Sequence, residues 1–214
     1  HEGTVSITPD GKTMFFTRNN YLDGDYEKSS EGIGKLKIYK ANLVNGKWDD
    51  VQELPFNSDE YSTGHTALSP DGKTLYFSSD MPGGMGMSDL YKVSINEDGS
   101  FGEPENLGSS INTEARESFP YIDSEGTLYF SSDGQLGIGG LDVFYAKADG
   151  DGFSSVKNMG QPINSTGDDF AFTFNINEES GFVSSNRSGI EETVANDNIY
   201  RVMQIQPLDE IIVN

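Results

Sequence analysis

Apolar positions in this chain come in short alternating bursts closed by turn residues, and one such burst recurs along its length. Thr74-Leu75-Tyr76-Phe77-Ser78 follows the turn Pro70-Asp71-Gly72-Lys73, itself preceded by His65-Thr66-Ala67-Leu68-Ser69. Thr13-Met14-Phe15-Phe16-Thr17 follows Pro9-Asp10-Gly11-Lys12 in the same way, and Leu128-Tyr129-Phe130-Ser131-Ser132 follows Asp123-Ser124-Glu125-Gly126. A worn copy ends in Gly181-Phe182-Val183-Ser184-Ser185. The anchors Phe16, Phe77, Phe130 and Val183 are spaced by 61, 53 and 53 residues. Period-two alternation in β-forming residues predicts strands, and Gly at the turns supplies positive φ at little steric cost.

Two more strands follow in each unit. In the second, a Gly-rich loop (Met81-Pro82-Gly83-Gly84-Met85-Gly86-Met87) precedes Asp89-Leu90-Tyr91-Lys92-Val93-Ser94-Ile95, and residues 101–107 supply a fourth strand. The third-strand aromatic recurs as Tyr39, Tyr91, Phe144 and Tyr200. The fourth carries Trp48, Phe101 and Phe153 and closes on Phe56-Asn57-Ser58, Ile111-Asn112-Thr113 and Ile163-Asn164-Ser165. Nothing shows a 3.6-residue period with caps, so helix should be nearly absent. A four-stranded antiparallel sheet of about 50 residues, repeated, predicts an all-β fold, a β-propeller of such blades. The blades fall at about 1–61, 62–115, 116–167 and 168–214, with the periodic Phe and Tyr packed between them.

Two places break the pattern. The first unit inserts extra residues within 20–35, and long loops on a rigid scaffold are where partner contacts concentrate. The fourth unit replaces the Pro-Asp-Gly turn by Asn175-Ile176-Asn177-Glu178, and residues 205–214 lack the marks of a normal fourth strand. The ring is therefore expected to have five or more blades and to be completed by upstream sequence. The chain opens directly on a repeat at His1-Glu2-Gly3-Thr4-Val5, as a piece of a longer protein would.

Composition narrows the partners. The 214 residues carry a net charge of −21 with a pI near 4.2, a field that repels nucleic acid and anionic membranes and attracts cations and basic protein surfaces. With no cysteine, disulfides, zinc–thiolate sites and thiol catalysis are excluded. No apolar run approaches the roughly 18 residues of a membrane-spanning helix, and no signal peptide is visible.

The phrase Ser69-Pro70-Asp71-Gly72-Lys73-Thr74-Leu75-Tyr76-Phe77-Ser78-Ser79-Asp80, followed by a Gly-rich loop and Ser88-Asp89-Leu90-Tyr91 or Leu141-Asp142-Val143-Phe144, resembles the TolB-like propeller repeat. Glu2-Gly3-Thr4-Val5-Ser6, Phe16-Thr17-Arg18-Asn19-Asn20, Leu54-Pro55-Phe56-Asn57-Ser58 and Gly139-Gly140-Leu141-Asp142-Val143-Phe144 look like the propeller of OmpA-family envelope proteins of Bacteroidota. These include the PorE-like component of type IX secretion. The resemblance implies a periplasmic, outer-membrane-associated, non-catalytic interaction platform whose partners are other envelope proteins. In that family peptidoglycan is bound by domains absent from this chain.

Candidate chemistry sits at recurrent positions. Glu2, Thr63, Glu117 and Asp169 are equivalents just before the first strand. If that strand lines a central channel, three carboxylates ring one mouth and bind a cation or a basic partner, although strand-end capping explains them more simply. The substitutions Glu117→Gln and Asp169→Asn should then leave folding intact. His65 aligns with Thr4, Phe119 and Ala171, as a packed or channel-lining residue. Asp80 with Asp89, and Asp133 with Asp142, bracket the Gly-rich loops nine residues apart. They are weak Ca2+ candidates, since such side chains more often accept loop N–H groups, and no other cofactor is implied. No catalytic set is visible, so the chain is read as a scaffold and not an enzyme. The alternative is a carbohydrate-binding or glycoside-hydrolysing propeller, for which Glu117 and Asp169 must face a sugar-sized cleft about 5 to 10 Å apart.

Overall fold

A computed structural model describes residues 2–22, 25–187 and 196–204. Among them there is no helix, and the strands form four small antiparallel sheets arranged as the blades of a β-propeller, with two further two-stranded hairpins pairing 21–22 with 25–26 and 148–149 with 152–153. Blade 1 pairs Glu2–Ile7, Thr13–Asn19, Leu36–Val44 and Lys47–Glu53 in that order. Blade 2 holds Thr63–Leu68, Thr74–Ser79, Asp89–Ser94 and Glu105–Asn106. Blade 3 holds Glu117–Ile122, Leu128–Ser132, Asp142–Ala146 and Lys157–Asn158. Blade 4 has three described strands, Asp169–Asn175, Ser180–Ser185 and Asn198–Met203. Residues 205–214, which lack the marks of a fourth strand in sequence, lie outside the described residues.

Turn chemistry sets each first hairpin. Asp71 accepts from Ser69 Oγ (2.6 Å) and Lys73 N (3.0 Å), while Gly72 takes φ 70°. Asp10 and Gly11 repeat this in blade 1. In blade 3 Asp123 accepts from Glu125 N and Thr127 N, both at 2.9 Å. The divergent turn of blade 4 still forms, because Asn175 Oδ1 accepts from Asn177 N (3.0 Å). The fourth strands of blades 2 and 3 are only two residues long. Before Glu105, Pro104 has no N–H to donate and interrupts the ladder, which continues on either side through Gly102 N to the Ser94 carbonyl and Leu107 N to the Leu90 carbonyl, both 3.0 Å.

The core lies between blades. Phe15, Ile38, Leu54 and Phe56 of blade 1 meet Leu75, Phe77, Tyr91 and Val93 of blade 2. Leu90 and Ile111 of blade 2 meet Leu128, Phe130, Phe144 and Ala146 of blade 3, and Val143 of blade 3 meets Phe172 and Val183 of blade 4. Burying one such side chain completely stabilises by about 1.5–3 kcal/mol relative to exposure. Along a middle strand, Tyr76 faces the next blade and Phe77 the previous one, so period-two alternation yields a sheet that is apolar on both sides.

The first strand of every blade lies innermost. These strands pack one against the next, with hydroxyl bridges such as Ser6 Oγ to Thr66 Oγ1 (2.9 Å) and Tyr121 OH to the Phe174 carbonyl (2.7 Å).

Candidate functional site: the channel mouth

Each innermost strand carries the same defect. Pairing with its neighbour slips between Gly3 and Val5, Gly64 and Ala67, Ser118 and Tyr121, and Phe170 and Thr173. At that slip Thr4, His65, Phe119 and Ala171 take φ of 31°, 56°, 51° and 52°. Non-glycine residues in the left-handed region cost on the order of 1 kcal/mol or more each, and such strain gathers where a site needs a particular side-chain direction.

The bulges turn side chains into the channel. His65 stacks on Phe119 with ring centroids 3.9 Å apart, and Phe119 leans on Phe170 at 5.1 Å. Ser78 Oγ lies 3.3 Å from His65 Nδ1, and Thr17 Oγ1 accepts from the His65 backbone N–H at 2.9 Å. Enclosure by these neighbours pushes the imidazole pKa down to about 4, so the ring is neutral at pH 7.

Two cavities meet at this stack. One, of about 280 Å³, is lined by His65, Phe119, Met87, Ser88, Asp80 and Arg116; the other, about 310 Å³, by His65, Phe119, Thr4, Thr17, Arg18 and Leu36. Arg116 is bound to Asp133 through Nε (2.8 Å) and Nη2 (2.6 Å), and Lys35 reaches Asp80 at 3.2 Å. Burial alone would raise the Asp133 carboxyl, but its bonds to Arg116 outweigh this and hold it below the ordinary carboxylate range. The mouth thus has an aromatic floor and a rim of mixed charge. Beyond Thr4 and Phe119 an apolar cavity of about 390 Å³ continues among Val5, Ile7, Leu68, Pro120, Ile122 and Phe172.

The recurrent acids sit elsewhere. Of Glu2 only the backbone is described, paired with Arg18. Thr63, Glu117 and Asp169 are each 0% exposed, so none of them opens on the mouth. Glu117 accepts from Thr113 N (2.9 Å), Thr113 Oγ1 (2.7 Å) and Ser132 Oγ (2.7 Å). Asp169 accepts from Ser165 N (2.6 Å), Ser165 Oγ (2.9 Å) and Arg187 Nη2 (2.6 Å). Thr63 donates to Asn57 Oδ1. These side chains hold the crossover from one blade to the next. A carboxylate whose lone pairs are filled by fixed donors has little left for a partner.

The asparagine marks complete that latch. Asn112 accepts from Leu90 N (2.8 Å) and donates to the Leu90 carbonyl (3.0 Å), which also takes the Leu107 N–H (3.0 Å), so its amide extends the ladder by one residue. Asn57 does the same to Ile38, and Asn164 to Val143.

The four loop aspartates divide into two kinds. Asp89 accepts from Met85 N, Gly86 N and Asn106 Nδ2, and Asp142 from Ile138 N and Gly139 N. Asp80 and Asp133 instead accept from the backbone of Ser62 and Arg116 and pair with cations at the rim. Among the described residues no group of three or more His, Asp or Glu side chains is placed to hold a metal ion.

Arg18, Met87 and Arg116 were not among the site residues expected from sequence. They fall at non-equivalent repeat positions, which the period does not flag. Phe119 was aligned with His65 but not itself singled out.

No family model matches the sequence, and no curated protein matches it. Among solved structures, α-L-arabinofuranosidase from Lactobacillus brevis aligns over 92% of this chain and 70% of its own, with a TM-score of 0.57 and 12% identity. A puromycin-hydrolyzing peptidase of Mycobacterium tuberculosis aligns over 95% of this chain at TM-score 0.55 and 14% identity, and prolyl oligopeptidase B of Galerina marginata over 94% at 0.52 and 15%. The chain spans about a quarter of the length of these two peptidases. Likeness at such identity defines the class, a β-propeller, and transfers no activity.

Proposed function

We infer that the chain is a non-catalytic protein-interaction scaffold of the bacterial cell envelope, and that partners engage it at the mouth around His65 and Phe119. The observation that carries this reading is the repeated bulge, with its four left-handed residues Thr4, His65, Phe119 and Ala171. In two of the four blades that bulge sets the stacked His65 and Phe119 rings at the mouth. An aromatic floor under a polar rim, in cavities of about 280 and 310 Å³, suits one or two anchoring side chains of a protein partner. It is small for an oligosaccharide, and the two carboxylates a glycosidase would need are turned away from it. The net charge of −21 favours a basic partner surface around that anchor. The OmpA-family resemblance of the sequence supports a periplasmic setting near the outer membrane, with secretion machinery or a peptidoglycan-associated assembly as the proposed context.

The test is a crosslinking pull-down of the full-length protein from its native envelope. Recovery of secretion or peptidoglycan-linked components supports the scaffold. Turnover of a sugar or peptide by residues 1–214 overturns it.

A further inference from the structure

The four blades have equivalent residues on the side that faces the next blade, and blade 4 differs from the rest. Across the second and third strands the pairs Thr17–Ile38, Ser78–Leu90, Ser131–Val143 and Ser184–Ile199 are in register. Ile38, Leu90 and Val143 are all 0% exposed beneath the following blade, whereas Ile199 is 75% exposed. The second-strand aromatic repeats the contrast: Phe15 is 2% exposed and its equivalent Phe182 is 52%. Met203, four residues along from Ile199, is exposed on the same face. Blade 4 therefore presents to solvent the positions that form the interlayer core three times elsewhere.

From this we propose that the far face of blade 4 is a docking surface for one further β-sheet of the same repeat type, contributed from outside these 214 residues. The existing interfaces specify what that sheet must carry. The incoming blade supplies Leu75 and Phe77 with Tyr91 and Val93 at the first interface, and Leu128 and Phe130 with Phe144 and Ala146 at the second. The partner strands thus read Leu-x-Phe beside Tyr/Phe-x-Val/Ala. The incoming blade also lays an outer aromatic against the strand-two aromatic already there. Phe101 meets Phe15 edge-on with centroids 6.1 Å apart, and Phe153 meets Tyr76 edge-on at 6.1 Å. Phe182 is the receptor for a third such ring. Lys40 lies 5.9 Å from the centroid of that Phe101 ring, and its register equivalent in blade 4 is Arg201, which sets a cation over the incoming aromatic again.

A second copy of this chain does not meet the requirement through blade 1. The complementary residues there, Phe16, Tyr39 and Ala41, are already buried, at 4%, 0% and 1% exposure. Arg18 also lies 5.2 Å from the Phe16 ring centroid and 5.4 Å from that of Tyr39.

The experiment places a photo-crosslinking amino acid at position 199 of the full-length protein in its native cells, with position 136, an exposed loop site, as control. Crosslinked peptides are sequenced, and a mixture of isotopically light and heavy protein marks any bond between two copies. The expected result is a crosslink at least tenfold above the control, into a segment outside residues 1–214 with the Leu-x-Phe and Tyr/Phe-x-Val/Ala strands. Phe182→Asp should reduce it tenfold or more while leaving the melting temperature of purified residues 1–214 unchanged. The proposal is overturned by a yield no higher than the control. Crosslinks between two copies, into residues 205–214, into lipid or into a segment without those strands overturn it equally, as does a Phe182→Asp protein that crosslinks undiminished.

Discussion

His65 lies almost flat on Phe119, the planes 16° from parallel and the centroids 3.9 Å apart, although the two residues belong to different blades. Each reaches the other from a left-handed backbone position at the same bulge of its own strand. One contact thereby joins blade geometry to the shape of the mouth.

That contact makes stability depend on pH. The folded histidine pKa is about 4, against 6.5 when unfolded, so the unfolded chain binds the extra proton between those values. Stability should fall as pH drops from 6.5 towards 4, by about 1.4 kcal/mol per pH unit once the unfolded histidine is mostly protonated. His65→Phe keeps the stack and should flatten this part of the curve. Urea unfolding at pH 7, 6 and 5 checks it, and parallel curves for both proteins would contradict the assignment.

Glu117→Gln combined with Asp169→Asn should be destabilising, contrary to what spacing alone suggested. Glu117 accepts three bonds without exposure, and an amide forces a donor against Thr113 N or Ser132 Oγ. Leaving a buried bond unmade costs about 1–3 kcal/mol, or roughly 2–10 °C for a chain of this size. Calorimetry of the double variant measures it.

Asn112→Ala should cost more than a surface asparagine. It strands the N–H of fully buried Leu90, whose carbonyl keeps the bond from Leu107 N (3.0 Å), for a loss of about 1–3 kcal/mol. Asn96→Ala, whose exposed amide donates to the Ser100 hydroxyl (2.9 Å), should cost less than half as much in the same denaturation series.

Leu90→Ala should lose about 2–5 kcal/mol, as core leucines do. Ile199→Ala, at the register-equivalent position of blade 4, should stay within about 0.5 kcal/mol in residues 1–214.

The blades were legible in sequence because their signals are local. Alternation in Leu75-Tyr76-Phe77 and the Asp71-Gly72 turn need no distant partner to be recognised. The fates of Glu117 and Asp169 were harder to read, since their donors Thr113 and Ser165 sit four residues upstream in loops of no regular period. The bulge left no compositional trace, because Thr4, His65, Phe119 and Ala171 share no conformational preference. Only the superposed strands reveal that one backbone geometry serves four unlike side chains. The rim residues Arg18, Met87 and Arg116 come together through tertiary contact alone.

The most direct measurement of the central claim compares partner recovery by wild-type and Met87→Glu full-length protein from the native envelope. Met87 is 67% exposed at the rim, so the variant should keep its melting temperature while adding charge where a partner must dock. At least tenfold lower recovery is expected. Equal recovery by the two proteins would place the partner elsewhere and contradict the account.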